Sequence, residues 1–433
     1  MRQYLLGASI IVLAVAASTA ATAQTAPATR PQTSTAIDDV IVTAQRREQA
    51  AQDVGIALSV LSGEELTNRG ITNVNQLQTA TPNLEIEPAF GGGAAQFRLR
   101  GVGFQDYASN NSPTVGVYVN EVAYPVPVMT QGLIFDIDRV EVLRGPQGTL
   151  YGRNTTGGAI SFVTRRPTDV MSAGIKGEYA TFDAVQVEGY VSGPISDTVK
   201  GRLAAMTQQG GAFQYNRDTG ESLGDANRTG LRGLLTFDPT DNLSFTLDVH
   251  GGIDKSENEG LYLLSPLTTR LGGVGSVTIP ADTDHRATGW GLSPRFAAEM
   301  GRDVDAKPGR DNSSWGTSLN GHYDFDTMRL TSITSYETLD RSEYGDWDAS
   351  SSVEADTFFA SDVKVFSQEF RLSSDADGPL NWVAGVYYSK QDLDEQYSSD
   401  FIDVYGTYGQ VAYAQEVESI SIFGQAEYAL SDE

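Results

Sequence analysis

The sequence contains no cysteine and only three histidines, His250, His285 and His322, which lie far apart. The lack of cysteine excludes disulfides, thiolate metal sites and thiol catalysis, so an exported protein of this composition must be stabilised by a large core or a continuous sheet. Basic residues are also scarce, since 30 lysines and arginines stand against 56 acidic residues and the net charge is −26. Because a nucleic-acid partner needs a basic face, this charge argues against nucleic-acid binding.

The chain begins with the features of a cleaved secretory signal. Arg2 supplies the positive charge, residues 5–17 the short apolar core, and residues 21–23 a small-residue cleavage site before Gln24. A membrane anchor is the alternative, but the apolar run is too short and an Ala/Thr/Pro-rich segment follows it. No later run approaches the roughly 18–20 apolar residues of a transmembrane helix. We therefore expect residues 1–23 to be removed and the mature protein to be exported.

Residues 24–49 are predicted to be a flexible segment that carries one short β-prone island. The island lies within "IDDVIVTAQRREQ" (37–49). It is either an ordinary first strand or a peptide that adds itself to the edge of a partner's sheet. The residues that would form the added strand are Asp39, Val40, Ile41, Val42 and Thr43.

Residues 50–167 are predicted to form a small domain of mixed α and β structure. Ser62 followed by Glu65 is a helix-start signal and Gly70 is a stop signal, so a short helix is expected between them. The segment "VNQLQTATPNLEI" repeats this pattern, and "FRLRGVG", "VGVYVNEV" and "RVEVLRG" have the composition of short strands.

The glycine-rich stretch "RVEVLRGPQGTLYGRNTTGGAISFVTRRP" (139–167) looks at first like a nucleotide-binding loop. Such a loop needs a lysine and a hydroxyl residue after its last glycine, and then a helix whose amides hold the phosphate. Here Gly152 is followed by arginine and asparagine, and Gly157 and Gly158 lead into "AISFVT", which alternates as a strand. The stretch is therefore predicted to be two strands joined by a tight turn at "GPQG" and a connection whose glycines allow close backbone approach.

From about residue 172 the hydrophobic pattern has a period of two, which indicates strands with one apolar and one polar face. Ten strands are predicted, at 172–181, 183–193, 197–208, 228–238, 241–251, 314–325, 327–338, 363–374, 380–391 and 416–430. Tight turns alternate with long polar links near 209–227, 252–313, 339–362 and 392–415. This alternation favours an outer-membrane barrel. A soluble β-sandwich is the alternative, but strands of about ten residues and charges on the inner face speak against it.

The glycine-rich stretch closely resembles the plug signature of TonB-dependent outer-membrane receptors. "FRLRGVG", "PTVGVYVNEV" and "DDVIVTAQRRE", which is similar to a TonB box, occur in the family's order and spacing. The residues that match the plug motifs are Arg98, Arg100, Gly101, Gly103, Glu141, Arg144, Gly145, Gly148, Gly152, Gly157 and Gly158.

The resemblance implies a transmembrane antiparallel β-barrel of about 22 strands, about ten of them present here, with an N-terminal α+β plug domain. The expected divisions are a signal peptide at 1–23, a flexible segment with the TonB box at 24–49, the plug at 50–167, and the N-terminal part of the barrel at 168–433. Because an open sheet edge is not tolerated in lipid, we expect the remaining strands to belong to a longer receptor.

The resemblance also implies energised uptake of a scarce ligand across an outer membrane. TonB, driven by an inner-membrane proton-motive complex, would pair with the box as an added strand. Arg100 and Arg144 match arginines that pair with barrel glutamates in the family, and Glu369 and Glu427 fall on the lumen side by alternation. Solvated lumen charges are the alternative to such a lock. The expected partners are TonB with its complex, outer-membrane lipid and a small-molecule ligand, without nucleic acid.

A ferric siderophore or another iron complex is the expected ligand by analogy with the family, and no covalently bound cofactor or metal site is expected. Uptake of an oligosaccharide, cobalamin or another hydrophobic ligand is the alternative. Candidate ligand contacts are the loop aromatics Tyr397, Phe401, Tyr405 and Tyr408. Two alternatives come from other functional classes: a passive porin or adhesin, and a secreted carbohydrate-active enzyme. No pair of carboxylates stands in a recognisable motif, so no enzyme is expected.

Overall fold

The structure is a computed structural model that describes residues 41–430, with the exception of 48, 89–93, 105, 107, 133, 271–274 and 375–377. The predicted signal peptide and the first two box positions, Asp39 and Val40, lie outside the described residues. No helix among the described residues is long and apolar enough to span a membrane.

The N-terminal part of the described chain consists of short strands and helical turns. Its strands are β1 Ile41–Val42, β2 Gln49–Ala50, β3 Ala57–Ser62, β4 Leu84–Pro88, β5 Ala95–Leu99, β6 Val102–Gly103, β7 Val115–Val119, β8 Val122–Ala123, β9 Ile137–Arg144 and β10 Gly158–Thr164. Its α-helices are α1 Gly63–Asn68 and α2 Gly148–Tyr151, and 3₁₀ turns lie at Ala51–Asp53, Val74–Thr79 and Pro127–Thr130.

A mixed five-stranded sheet is the centre of this part. Its strand order is β3-β9-β10-β7-β8, with β10 parallel to β7 and the other neighbours antiparallel. Strands β4, β5 and β6 form a second, antiparallel sheet. The apolar core includes the fully buried side chains of Leu77, Leu99, Val140 and Ile160. This is the predicted α+β plug fold.

Local sequence signals account for the helix and one of the turns. Ser62 begins α1, and its Oγ accepts the backbone N–H of Glu65 at 3.1 Å, as the capping signal predicts. Gly70 follows the helix with a φ of +66°. In "FRLRGVG", Arg100 and Gly101 have φ values of 51° and 76° and join β5 to β6. Two successive positive φ values are the geometry of a tight two-residue hairpin turn.

The glycine-rich stretch contains two strands, as predicted, and no helix follows its last glycine. Strand β10 starts at Gly158 itself, and the one-turn helix α2 between the strands is the only element of the stretch that the pattern did not predict. Gly145 and Gly158 have φ values of +105° and +147°. A Cβ at Gly158 would lie 2.2 Å from the carbonyl oxygen of Leu143, so β9 and β10 can pair this closely only with glycine there.

The rest of the chain forms a wall of ten long antiparallel strands, each paired with the next of the set. They are β11 Ser172–Ala180, β12 Ala184–Pro194, β13 Val199–Gly210, β16 Ala226–Thr240, β17 Leu243–Asp254, β22 Asn312–Asp324, β23 Met328–Asp346, β24 Asp356–Ser374, β25 Leu380–Phe401 and β26 Thr407–Tyr428. The links between them carry short elements: β14 Gln214–Asn216, β15 Ser222–Leu223, β18 Leu267–Thr269, β19 Val277–Ile279, β20 Ala287–Thr288, α3 Pro294–Glu299, β21 Gly309–Arg310 and α4 Ile402–Tyr405.

Alternation along the wall strands separates an apolar outer face from a polar face turned toward the plug. On β24, Phe366, Phe370 and Leu372 are exposed, while Glu369 and Arg371 are buried. Aromatic side chains mark one border of the outer apolar band through two pairs, Trp315 with Tyr336 and Phe366 with Tyr388. Above this border the outward positions of the last strands carry charges: Asp362, Lys364, Lys390, Asp392, Glu416 and Glu418. An apolar band with aromatic borders is the outer surface of a transmembrane barrel.

Strands β23 to β26 continue far beyond this band, which the hydrophobic pattern did not predict. The segments predicted as the long links 339–362 and 392–415 are mostly strand, and the true connections are 347–355 and 402–406. Apolar and polar side chains follow one another in these extensions without a regular period of two, and Tyr344, Phe358 and Phe359 are buried there. A hydrophobicity pattern therefore carries no signal there.

Gly158→Ala in the full-length protein is expected to weaken the pairing of β9 with β10. The new Cβ would clash with the backbone, and the residue would keep a strained φ. We expect the free energy of opening the β9–β10 pair to fall by about 2 kcal/mol, which makes amide exchange across the pair about 30-fold faster. Hydrogen-exchange mass spectrometry of the detergent-solubilised protein measures this. Gly148→Ala is the control, because nothing lies within 4 Å of its Cβ position. Equal exchange in the two variants would contradict the close-approach explanation.

Candidate functional site

The described end of the box segment is paired with the plug's own chain. Ile41 and Val42 form an antiparallel ladder with Ala50 and Gln49. Val42 is fully buried and belongs to an apolar cluster with Leu150 of the plug and Val383 of the wall. Part of the segment that would be added to a partner's sheet is therefore already occupied by an internal strand.

Glu141 of the plug motif anchors the next box residue. Its Oε1 accepts the backbone N–H of Thr43 at 3.0 Å and the guanidinium Nε–H of Arg139 at 2.8 Å. The Glu141 side chain is fully buried, so its charge depends on these donors. The sequence motif that contains Glu141 thus holds the box segment directly.

A chain of four alternating charges links the box segment to the wall, and we call it the latch. Arg46 Nη1 lies 3.1 Å from Glu121 Oε2, which also accepts Arg371 Nη1 at 2.7 Å, and Arg371 in turn pairs with Glu369 at 2.7 Å. Arg46 follows the box, Glu121 belongs to the plug, and the other two lie on β24. The latch therefore joins three parts of the chain: the box segment, the plug and the wall.

The latch is buried and electrically balanced. The side chains of Arg46, Arg371 and Glu369 are 4–6% exposed and that of Glu121 is 22% exposed. Burial alone would raise the pKa of Glu121, but the guanidinium groups of Arg371 and Arg46 outweigh it and lower that pKa to about 2. Arg46 also stacks on the ring of Tyr151, with 4.6 Å between its guanidinium carbon and the ring centroid.

The glutamates of the predicted lock have other partners than those expected. Glu369 pairs with Arg371 and Glu427 pairs with Arg47, rather than with Arg100 or Arg144. Among the described residues, neither of these two arginines forms an ion pair, and Arg144 donates only to the carbonyl oxygen of Leu58 at 3.3 Å. Alternation placed the glutamates on the correct face. It carries no information on which plug side chain comes within reach, because that depends on the packing of the whole domain.

Further polar contacts between plug and wall were not predicted from the sequence. Among them are Asp136 with Arg202, Asn120 with Asp248, Tyr124 with His250 and Glu337, Arg153 with Gln391, and Ser109 N–H with Glu395. The sequence signal on the wall side is the presence of charged residues at inward positions of the strands, such as Arg202, Asp248 and Glu337. On the plug side the sequence carries a weaker signal. Asn120, Glu121 and Asp136 contact the wall from positions with positive φ, which the sequence pattern does not predict.

The structure divides the four candidate ligand aromatics among different surroundings. Tyr397 faces the lumen and pairs with Phe359, with 4.9 Å between ring centroids. Phe401 and Tyr405 contact each other at 6.0 Å beside α4. Tyr408 packs beneath Arg295. Only Tyr397 therefore points toward the space above the plug, where Arg341 lies over the ring of Phe359 at 4.3 Å.

Comparison with known proteins identifies the domain that holds these contacts. Residues 50–159 match the family model of the TonB-dependent Receptor Plug Domain. This part of the chain is therefore a plug domain of the TonB-dependent receptor type. It is 32% identical over 183 residues to the pesticin receptor of Yersinia pestis, a match that covers 42% of this chain and 27% of the relative. It is 27% identical over 168 residues to a ferric-pyoverdine receptor of Pseudomonas putida, covering 38% of this chain and 20% of the relative.

Solved structures of the family share the fold of this receptor. The ferric yersiniabactin uptake receptor of Yersinia pestis aligns with a TM-score of 0.66 at 19% identity, over 87% of this chain and 62% of that one. The ferripyoverdine receptor of Pseudomonas aeruginosa aligns with a TM-score of 0.69 at 14% identity, over 91% and 52%. The chain thus spans about a quarter of the first curated relative and about half to two thirds of these structures.

Replacing Glu121 with glutamine is expected to release the box segment. The change leaves Arg46 and Arg371 buried without their shared carboxylate, which costs on the order of 3 kcal/mol and raises the released population about 100-fold. Because the chain has no cysteine, a spin label on Ile41→Cys reports box mobility directly. Glu64→Gln on the exposed face of α1 is the matched control. An unchanged spectrum in the Glu121 variant would show that the latch does not hold the segment.

The same label is expected to show a pH dependence set by Glu121. Its pKa is lowered from 4.5 to about 2 in the latched state, so the stabilisation is complete above pH 4.5 and is lost as the pH falls toward 2. Box mobility in the wild type should be constant from pH 7 to about 4.5 and rise below it. The Glu121→Gln variant should lack that transition. A transition of equal size in both proteins would assign it to another group.

Proposed function

We propose that this receptor takes up a scarce ligand, a ferric siderophore or another iron complex, across the outer membrane by a TonB-driven movement of its plug. The observation that carries the proposal is the arrangement of the box segment. It is folded into the plug, buried at Val42 and tied to the wall through Arg46, Glu121 and Arg371. A passive pore has no use for such a segment.

The position of the box supports a pull from the periplasmic side. Arg47 pairs with Glu427 and Val42 packs with Val383. Both wall residues lie at the end of the wall where the short connections 195–198, 241–242 and 325–327 join the strands. In outer-membrane barrels the short turns are periplasmic. The box therefore lies where a periplasmic partner such as TonB, energised by an inner-membrane complex, would reach it and add a strand.

The ligand is expected at the opposite end, between the strand extensions and the plug apex. There Arg341 and the rings of Phe359 and Tyr397 face the lumen, and Ser109 of the plug donates its N–H to Glu395 on the wall. The ring of Tyr397 suits stacking on a planar chelate, whereas Arg341 is itself paired with Glu343. A ferric chelate is favoured over an oligosaccharide or cobalamin because the similar proteins include receptors named for ferric pyoverdine and ferric yersiniabactin.

A proline in the box separates binding from uptake. Val40→Pro in the full-length receptor removes a backbone donor from the strand that TonB would pair with and lies outside the hairpin that the structure describes. Ferric siderophores, cobalamin and oligosaccharides are tested for binding to outer-membrane vesicles and for uptake by cells. We expect one ferric siderophore to bind both proteins equally and to enter only wild-type cells.

Gln32→Pro, in the linker upstream of the box, is the control for the proline itself. It should bind and transport as the wild type does. Uptake that survives Val40→Pro unchanged would contradict the pulling mechanism, and ligand entry independent of cellular energy would favour a passive pore.

A further inference from the structure

Three carboxylates converge at the extracellular end of the wall, in the connection between β23 and β24. Asp346 ends β23, Asp356 begins β24, and the two are directly paired across the strands. Asp348 lies in the connection itself. Each of the three offers a carboxylate oxygen, and the three oxygens all lie within 4.8 Å of one another. Such a spacing is that of ligands around a single ion.

Two of these carboxylates each have one buried oxygen atom without a hydrogen-bond partner. Asp346 is 4% exposed and Asp356 is fully buried. Oδ1 of Asp346 accepts the N–H of Ala349 at 2.8 Å and Oδ1 of Asp356 accepts the hydroxyl of Tyr344 at 3.3 Å, but Oδ2 of each lacks a hydrogen-bond partner. A buried carboxylate oxygen without a donor is costly, and two beside each other are more so.

No side chain compensates this negative charge. Among the described residues, no lysine, arginine or histidine forms an ion pair with Asp346, Asp348 or Asp356. The next carboxylate along the sheet, that of Asp400, is opposite Asp356 and increases the charge further. Several buried acidic groups elsewhere have cations beside them, as in the latch and in the Asp136–Arg202 pair.

The connection is folded so that the third carboxylate is held in place. Asp348 Oδ2 accepts the N–H groups of Glu354 and Ala355 at 2.9 and 3.1 Å, and its Oδ1 accepts the N–H of Ser350 at 2.9 Å. Asp346, Asp348 and Ser350 alternate along the chain as D-x-D-x-S, a spacing that brings successive side-chain oxygens to one point in calcium loops. The geometry is therefore preformed on rigid strand ends.

From these observations we propose that Asp346, Asp348 and Asp356 bind a divalent cation of the hard, oxygen-seeking class, most suitably Ca²⁺. An all-oxygen donor set with three carboxylates and no histidine or cysteine selects Ca²⁺ or Mg²⁺ over transition metals. Ca²⁺ is favoured because it accepts irregular geometry with six to eight ligands, which carbonyl oxygens and water can complete. The ion would neutralise the repulsion among the three groups.

The cation would order the extracellular loops as well as its own connection. Residues of this connection contact three other segments: Ser352 Oγ lies 2.5 Å from Thr269 Oγ1, Val353 N–H donates to Asp403 Oδ2 at 2.9 Å, and Arg217 donates to the carbonyl oxygen of Ala349. Tyr344, which binds Asp356, also donates to the carbonyl oxygen of Gly291 at 3.0 Å. Fixing 346–356 therefore fixes the rim around the mouth of the receptor.

Terbium luminescence of the full-length receptor in detergent tests the site. Tb³⁺ replaces Ca²⁺ at oxygen sites, and Trp347 lies between two of the ligands, so its excitation should sensitise the bound ion. We expect a saturable signal that Ca²⁺ displaces with a Kd on the order of 0.1–1 mM, as in extracellular calcium modules. The Asp346→Asn/Asp356→Asn variant should lose the signal at least tenfold, and Glu354→Gln, in the same connection, should keep it.

A stability measurement distinguishes a lost ion from a misfolded loop. Without divalent ions, the double asparagine variant should be as stable to protease at 347–355 as the wild type or more so, because the repulsion is gone. Added Ca²⁺ should protect the wild type and leave the variant unchanged. A wild type that gains neither luminescence nor protection would overturn the proposal and indicate that the carboxylates share protons only. Siderophore binding and uptake do not enter either readout, so the uptake proposal stands or fails separately.

Discussion

The pairing of charges across the boundary between plug and wall is the constraint on which the rest of this structure depends. A domain inside a barrel has to be held firmly enough to close it and loosely enough to move. Apolar contact alone would achieve the first, because a dry core separates only at a large cost. Charges that are buried but matched, such as Asp136 with Arg202 and Glu121 with two arginines, give a specific orientation, and water can replace each partner once the domain shifts.

This constraint explains the composition of the wall strands. Each of them presents apolar side chains to lipid and polar ones to the plug. Aromatic rings lie at the border between membrane and water, and charged side chains follow them on the water side. The strands β23 and β24 continue past that border, where polar and buried apolar side chains are mixed, and they support the connection at 347–355. One strand thus passes through the apolar band, the aromatic border and the extension beyond it, and its residue composition changes from each of these to the next.

Sequence reasoning succeeded where one physical cause decides the structure. Period-two alternation located all ten wall strands, the Ser62 cap located α1, and the failed phosphate-loop pattern correctly left β10 as a strand. It failed where the structure depends on the packing of several segments that are distant in the chain. The strand extensions of β23 to β26 mix apolar and polar side chains without the regular period of two that would reveal them. The latch joins Arg46, Glu121 and Arg371, which are far apart in the chain, and Arg46 reaches it from a backbone with a φ of 60°.

The hairpin formed by β1 and β2 has a mechanical consequence. Ile41, where the chain enters, is opposite Ala50, where the chain continues into the plug. A force applied upstream of residue 41 therefore loads the open end of the ladder, and its hydrogen bonds would break one after another instead of all at once. Peeling of this kind needs far less force than sliding two strands past each other. The hairpin would thus yield first, and the load would pass next to the Thr43–Glu141 contact and then to the buried arginine behind it.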